Sequence, residues 1–196
     1  VLAATATGVA VKGLLMQSGA QPGQNVYITG PTGLAGAARV AKNDIGVEAY
    51  TEPLIDKWQR VHPRVAEGLA VTRVVGDGGA GTDTSDGLKV ALENIARKSN
   101  VDIIVDQDAV PIHHSVKEAA RRFGQDPLAI TMGNSVDFEL LFTAGRERHE
   151  KLMRAFRRAG LDVPYLIGTV AESSPQGSAR FHDGSALSGQ IETHAA

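Results

Sequence analysis

The densest run of chemically capable side chains in the sequence is Thr82-Asp83-Thr84-Ser85-Asp86-Gly87. Asp83 and Asp86 stand three apart, with the Ser85 hydroxyl between them, just ahead of an amphipathic segment. Two carboxylates at a strand-to-helix junction can hold Mg²⁺ through oxygen and water, while the positive helix N-terminus faces a phosphate. The same residue types can also satisfy the first free N–H groups of the helix, and one cap is enough for that. Pattern alone leaves both readings open. An EF-hand loop is excluded, because D-x-[DN]-x-[DN]-G does not fit.

A second candidate is Gly133-Asn134-Ser135-Val136-Asp137-Phe138-Glu139-Leu140. Asp137 and Glu139 alternate with Phe138 and Leu140, as on an edge strand with a solvated acidic face. The alternative makes the Gly-Asn-Ser turn a small-molecule contact. A third is Val26-Tyr27-Ile28-Thr29-Gly30-Pro31-Thr32-Gly33-Leu34-Ala35-Gly36, which looks like a dinucleotide-binding glycine turn. That fold wants an acidic residue about 20 positions on, at the end of a second strand. Glu48 is near that spacing, but no apolar strand precedes it. Gly36 is followed by Ala37-Ala38, so a P-loop fails as well. The glycines read best as a tight turn that lets a helix pack close to a strand. His113 and His114 have no partner His at i+4 and read as loop residues, and His149 reads as an exposed helix residue among charges.

These candidates need a scaffold, and the sequence punctuates one clearly. Residues 1–12 read as a strand and 25–29 as a second. Leu34, Ala37, Ala38 and Ala41 recur at helical spacing, and Pro53 and Pro63 suit the first turns of two further helices. Leu88, Ala91, Leu92, Ile95 and Ala96 form an i, i+3, i+4, i+7, i+8 stripe, and 101–106 is a buried strand. Ser115 and Glu118 have capping-box spacing for a helix closed by Gly124. A strand over 138–143 leads to a helix from about Arg146 to Gly160, ending on a basic run at Arg154, Arg157 and Arg158. Tyr165–Val170 is another strand, and the last 25 residues suggest a short hairpin and a loose tail. Strands alternating with helices imply an α/β sandwich on a mixed sheet.

Composition narrows the function classes. With 196 residues, 42% hydrophobic, the chain can bury one main core. A net charge of −2 gives no general pull toward nucleic acid or an anionic membrane. Zero cysteines remove thiol chemistry and disulfides and fit a reducing compartment, so the cytoplasm is expected. No apolar run approaches the roughly 20 residues of a membrane span. The N-terminus lacks an initiating Met and a signal-peptide pattern, and it reads as cut from something longer.

Taken in order, GAQPGQ (19–24), VYITGPTG (26–33), HPRVAEG (62–68), TDTSDGL (82–88), DAVPIHHSVKEAARRFGQDPLAI (108–130) and GNSVDFELLFT (133–143) resemble the motif series of the thiamine-monophosphate kinase family. That family belongs to the AIR synthase-like superfamily of ATP-dependent enzymes. The resemblance implies that residues 23–196 are an AIR synthase-like C-terminal domain, and that 1–22 are a strand and connector from an N-terminal domain carrying further Mg²⁺ ligands and a homodimer interface. It implies transfer of the γ-phosphoryl group of ATP to a small acceptor, thiamine phosphate, by the full-length protein, with this chain inactive alone. Asp83 and Asp86 match metal-binding aspartates and Ser85 a hydroxyl that contacts ATP. Gln17 falls where the family has a nucleotide-contacting arginine, and Gln24 where it has the aspartate of P-G-D. Ser135, Val136 and Asp137 fall on the acceptor-binding turn, with Val136 in place of a substrate-contacting glutamate. The C-terminal aromatic of the family has no counterpart in SALSGQIETHAA.

The 108–130 stretch also resembles the hydrogenase-maturation dehydratase and selenophosphate synthetase branches, whose acceptors differ. A third reading is a non-catalytic binding module that retains the fold.

Overall fold

In the computed structural model, residues 5, 7–9, 13–46, 48–172 and 177–189 are described. A six-stranded sheet is built from β1 (Asn25–Ile28), β2 (Gly81–Asp83), β3 (Asp102–Val105), β4 (Leu140–Ala144), β5 (Tyr165–Ala171) and β6 (Ala179–Phe181). The spatial order is β2-β4-β1-β5-β3-β6, and every pairing is antiparallel except β3 with β6. The expected mixed sheet is therefore present. The short hairpin expected near the C-terminus is reduced among the described residues to a turn after β6 closed by one antiparallel bridge, Arg180 to Ala186, while β6 itself joins β3 in parallel. The strand expected over 1–12 falls largely outside the described residues, and residues 5 and 7–9 adopt no regular structure.

Among the described residues seven α-helices surround the sheet: α1 (Leu34–Val40), α2 (Glu52–Gln59), α3 (Val65–Val75), α4 (Leu88–Ser99), α5 (His114–Phe123), α6 (Pro127–Met132) and α7 (His149–Arg158). β1 lies inside the sheet with both faces covered, so all four of its residues are buried. Its period-two alternation sends Tyr27 to one face and Val26 and Ile28 to the other. Over the Tyr27 face, α3 contributes Val71 and Val75 and α7 contributes Leu152 and Phe156. Over the opposite face lies α4, with Leu88, Ala91, Leu92, Ile95 and Ala96 inward as the stripe predicts. Each fully buried Leu or Ile there contributes about 1.5–3 kcal/mol relative to an exposed one. A third core joins α1, α2, α5 and α6 beyond the sheet.

Local details differ from expectation where tertiary partners intervene. Pro53 sits in the first turn of α2, but Pro63 lies in the extended approach to α3, which starts at Val65. Ser115 does not cap α5; His113 does, its Nδ1 accepting from the Ser115 N–H at 3.2 Å. Burial, with His114 alongside, lowers the His113 pKa. His149 is not a bystander among surface charges, since its Nδ1 lies 2.9 Å from the Tyr27 hydroxyl inside the sheet-facing core.

Candidate functional site

The Asp83–Asp86 loop is positioned from three sides. β2 delivers Asp83 opposite Leu140 of β4. Thr84 is fully buried and pinned in both directions to Glu139: its N–H donates to the Glu139 carbonyl at 2.9 Å, and its Oγ1 accepts from the Glu139 N–H at 3.0 Å. Gly87 closes the loop at φ 96, where a Cβ would lie 2.1 Å from the Gly133 carbonyl oxygen. A glycine is required there both for the left-handed backbone and for the approach of the 133–137 turn.

Gly87 is also the N-cap of α4, and no side chain caps that helix. The capping alternative for Asp83, Ser85 and Asp86 is thus not realised. Asp83 and Asp86 are both exposed. Among the described residues, Asp83 accepts only from the Ser85 hydroxyl, at 3.2 Å, and Asp86 has no side-chain partner. Two exposed carboxylates and a hydroxyl ahead of a twelve-residue helix suit Mg²⁺, which takes one or two protein carboxylates and fills its octahedron with water and phosphate oxygens. Among the described residues no group of three or more His, Asp or Glu converges as a complete cage.

Gln17 reaches the same edge of the sheet. Its Nε2 donates to Thr82 Oγ1 at 2.9 Å, and its Oε1 accepts from the Lys98 ammonium. A positive charge therefore rests against residue 17 although residue 17 is neutral. Gln24 acts elsewhere, as its Nε2 donates to the Gly78 carbonyl at 2.7 Å and its Oε1 accepts from Thr143 Oγ1 at 2.7 Å. It ties β1 to the Gly78 loop that leads into β2.

The acidic segment after Gly133 departs most from expectation. Phe138 takes φ 54 and β4 starts only at Leu140, so strand alternation never exposes Asp137 and Glu139. Both are buried. Asp137 accepts from the Gly33 N–H at 2.6 Å and the Ala35 N–H at 3.1 Å, and Ser135 Oγ accepts from the Gly36 N–H at 2.9 Å while donating to Asp137 at 2.5 Å. The free N–H groups of the glycine turn, where a ligand phosphate would sit in a dinucleotide fold, are taken by this chain's own carboxylate. Gly33, at φ 89, packs on the Thr131 backbone, and Gly30 faces Glu139, whose carboxylate would lie 2.9 Å from a Cβ. The glycines serve close packing, as their context predicts. Ser135 and Asp137 have side chains directed at that turn, whereas Asn134 and Val136 are exposed, with the Asn134 backbone close to Gly87.

Sequence reasoning missed the charge cluster around Glu139. Its carboxylate accepts from Thr29 Oγ1 at 2.6 Å, Lys57 Nζ at 2.6 Å, and Arg64 Nε and Nη2 at 2.8 and 2.6 Å. Burial alone would raise its pKa, but the hydrogen bonds and charges of Arg64 and Lys57 outweigh that and hold it below its ordinary value of 4.5. The only signal was Arg64 itself, in the P-R pair ahead of α3; nothing about Lys57 distinguishes it from a surface lysine. The cluster bolts α2 and the approach to α3 onto the residue that clamps Thr84.

The family described as "AIR synthase related protein, C-terminal domain" matches residues 21–178. The chain belongs to this family. Among AIR synthase related proteins, a thiamine-monophosphate kinase of Pyrococcus abyssi is 34% identical over 149 residues, covering 76% of this chain and 45% of that protein. The carbamoyl dehydratase HypE of Cupriavidus necator is 33% identical over 130 residues, covering 64% of this chain and 35% of that protein. The crystal structure of thiamine-monophosphate kinase from Stenotrophomonas maltophilia K279a superposes with a TM-score of 0.72 at 30% identity, covering 88% of this chain and 54% of that one. This AIR synthase related domain spans about half the length of the relatives it matches.

Proposed function

We propose that the chain is the C-terminal domain of an ATP- and Mg²⁺-dependent phosphotransferase that converts thiamine phosphate to thiamine diphosphate. The observation that carries this reading is the pair of exposed carboxylates, Asp83 and Asp86, left unused by helix capping at the start of α4. Phosphoryl transfer asks little covalent chemistry of a protein; it asks for placed charges and donors around the transferring group. Asp83 and Asp86 hold Mg²⁺, which when bound neutralises charge on the phosphate oxygens. The Ser85 hydroxyl donates to a phosphate oxygen of ATP, and Gln17, with the Lys98 ammonium against it, lies on the nucleotide side. The 133–137 turn forms the acceptor wall: Ser135 and Asp137 set its shape through the glycine turn, and Val136 and Asn134 present its surface.

The remaining metal ligands and a homodimer interface belong to a domain that precedes this one, to which residues 1–22 are the connector, so that this chain by itself does not turn over. Zero cysteines and a charge near neutrality suit the cytoplasm and a small-molecule acceptor, without nucleic acid or membrane as partner. Among the described residues no helix is long and apolar enough to cross a membrane.

One observation favours a second acceptor. Val136, 50% exposed, puts an isopropyl group where the resemblance implies a substrate-binding glutamate, and a carbamoyl dehydratase is among the relatives. In the full-length protein carrying this chain, Asp83→Asn is expected to abolish Mg²⁺-dependent ATP turnover; unchanged turnover would remove the metal assignment. ATP consumption with thiamine phosphate, compared with other small acceptors, decides between the substrates. Calorimetry with Mg-ATP on the same protein separates an enzyme from a binding module without nucleotide.

A further inference from the structure

Between α1 and α2, with no residue of the Asp83–Asp86 loop in its lining, lies a cavity of about 340 Å³. That is at the small end of the range of about 300 to 1,000 Å³ typical of ligand pockets. Its aliphatic walls come from Ala38, Ile45 and Ile55, and the Trp58 indole completes them. α2 already turns its inward face to the protein through Leu54, which is fully buried, and through Lys57, bonded to Glu139. Ile55 and Trp58, three apart, are therefore a second apolar pair on the side where a surface helix is ordinarily polar. Trp58 remains 55% exposed, so part of its indole is open to solvent beside the apolar lining.

The charges around the cavity say what kind of ligand. Arg39 and Lys42 line it, both exposed, and no acidic residue does. Among the described residues neither cation has a carboxylate partner. Of the acids nearby in sequence, Asp44 is engaged by Tyr50 and Arg122, Glu48 by Arg122 and Asp56 by Arg60, while Glu52, in the first turn of α2, is exposed and does not line the cavity. Two uncompensated cations at the mouth of an apolar, indole-walled cavity complement a flat ring that carries an anionic group. The ring stacks on Trp58, and the anion pairs with the Arg39 guanidinium and the Lys42 ammonium.

We infer that this cavity is a binding site for a small planar aromatic anion, whether its charge is a carboxylate, a sulfonate or a phosphate. The site is separate from the Asp83–Asp86 loop and does not depend on the function proposed for it.

Trp58 is the single tryptophan of the chain, so one indole N–H resonance reports on this cavity alone. Titrating the 196-residue chain with naphthalene-2-sulfonate is expected to shift that resonance saturably, together with amides of α1 and α2. The uncharged naphthalene-2-methanol should bind at least about tenfold more weakly, the loss expected when a charged pairing is removed. Arg39→Ala with Lys42→Ala should reduce the sulfonate to the level of the alcohol. Both residues are exposed, so the amide spectrum elsewhere should stay that of the folded protein. Lys151→Ala, on the far helix α7, should leave the sulfonate affinity unchanged. Absence of a saturable shift overturns the site. Equal affinity for sulfonate and alcohol, or a sulfonate affinity unmoved in the double variant, overturns its assignment to anions.

Discussion

Two acidic segments lie side by side in this protein and put the same carboxylate chemistry to opposite uses. At Asp137 and Glu139 the side chains are buried and their oxygens saturated, by backbone N–H groups of the glycine turn in one case and by Thr29, Lys57 and Arg64 in the other. At Asp83 and Asp86 they are exposed and nearly without protein partners. The first segment builds the second. Glu139 clamps Thr84 through its backbone while its side chain gathers α2 and α3, and Gly87 packs on Gly133. Under the proposed function the carboxylates that the fold has left unused are the metal ligands, whereas those it has consumed hold the site together.

That contrast can be broken most severely at Glu139. Glu139→Ala leaves Lys57 and Arg64 as buried or half-buried charges without their common partner, and it should cost about 3–5 kcal/mol of stability, read from urea unfolding midpoints. Asp137→Ala should cost less, about 1–3 kcal/mol, because it strands neutral N–H groups of Gly33 and Ala35. Glu139 also predicts a pH dependence. Its pKa is lower in the folded than in the unfolded chain, so its contribution is fully present above the ordinary value of 4.5 and is lost as pH falls below that toward the folded pKa. Urea midpoints measured below pH 4.5 should fall more steeply for the native protein than for Glu139→Ala. Smallest of all should be the stability change in Asp83→Asn and Asp86→Asn, within about 0.5 kcal/mol, as for exposed positions outside any network. A loss comparable to that of Asp137→Ala would show that the two segments do not differ as described.

Legibility follows range. The α4 stripe, the 101–106 strand and the Gly124 stop are readable because each depends on residues a few positions apart. The cap of α5 lies two residues before the expected one, since a histidine imidazole takes the place that a serine hydroxyl usually fills. β6 is not legible as a partner of β3, because β3 lies more than seventy residues upstream and local sequence carries no sign of that pairing. In the site, the Asp83–Asp86 run is conspicuous from residue types alone. The burial of Asp137 and Glu139 is not, because alternation with Phe138 and Leu140 predicts a strand, whereas Phe138 takes a positive φ ahead of β4 and Asp137 accepts from the distant Gly33 N–H.

By itself the sequence determined α1, α4, α5 and α7 and the strands β1, β3 and β5, their apolar faces, and where two carboxylates and a hydroxyl stand together. These follow from chain periodicity and short-range spacing. Only the tertiary structure decided which carboxylates are free. That depends on whether a donor more than fifty residues away arrives beside them, as Lys57 and Arg64 do for Glu139 and the Gly33 N–H does for Asp137, and as no donor among the described residues does for Asp86.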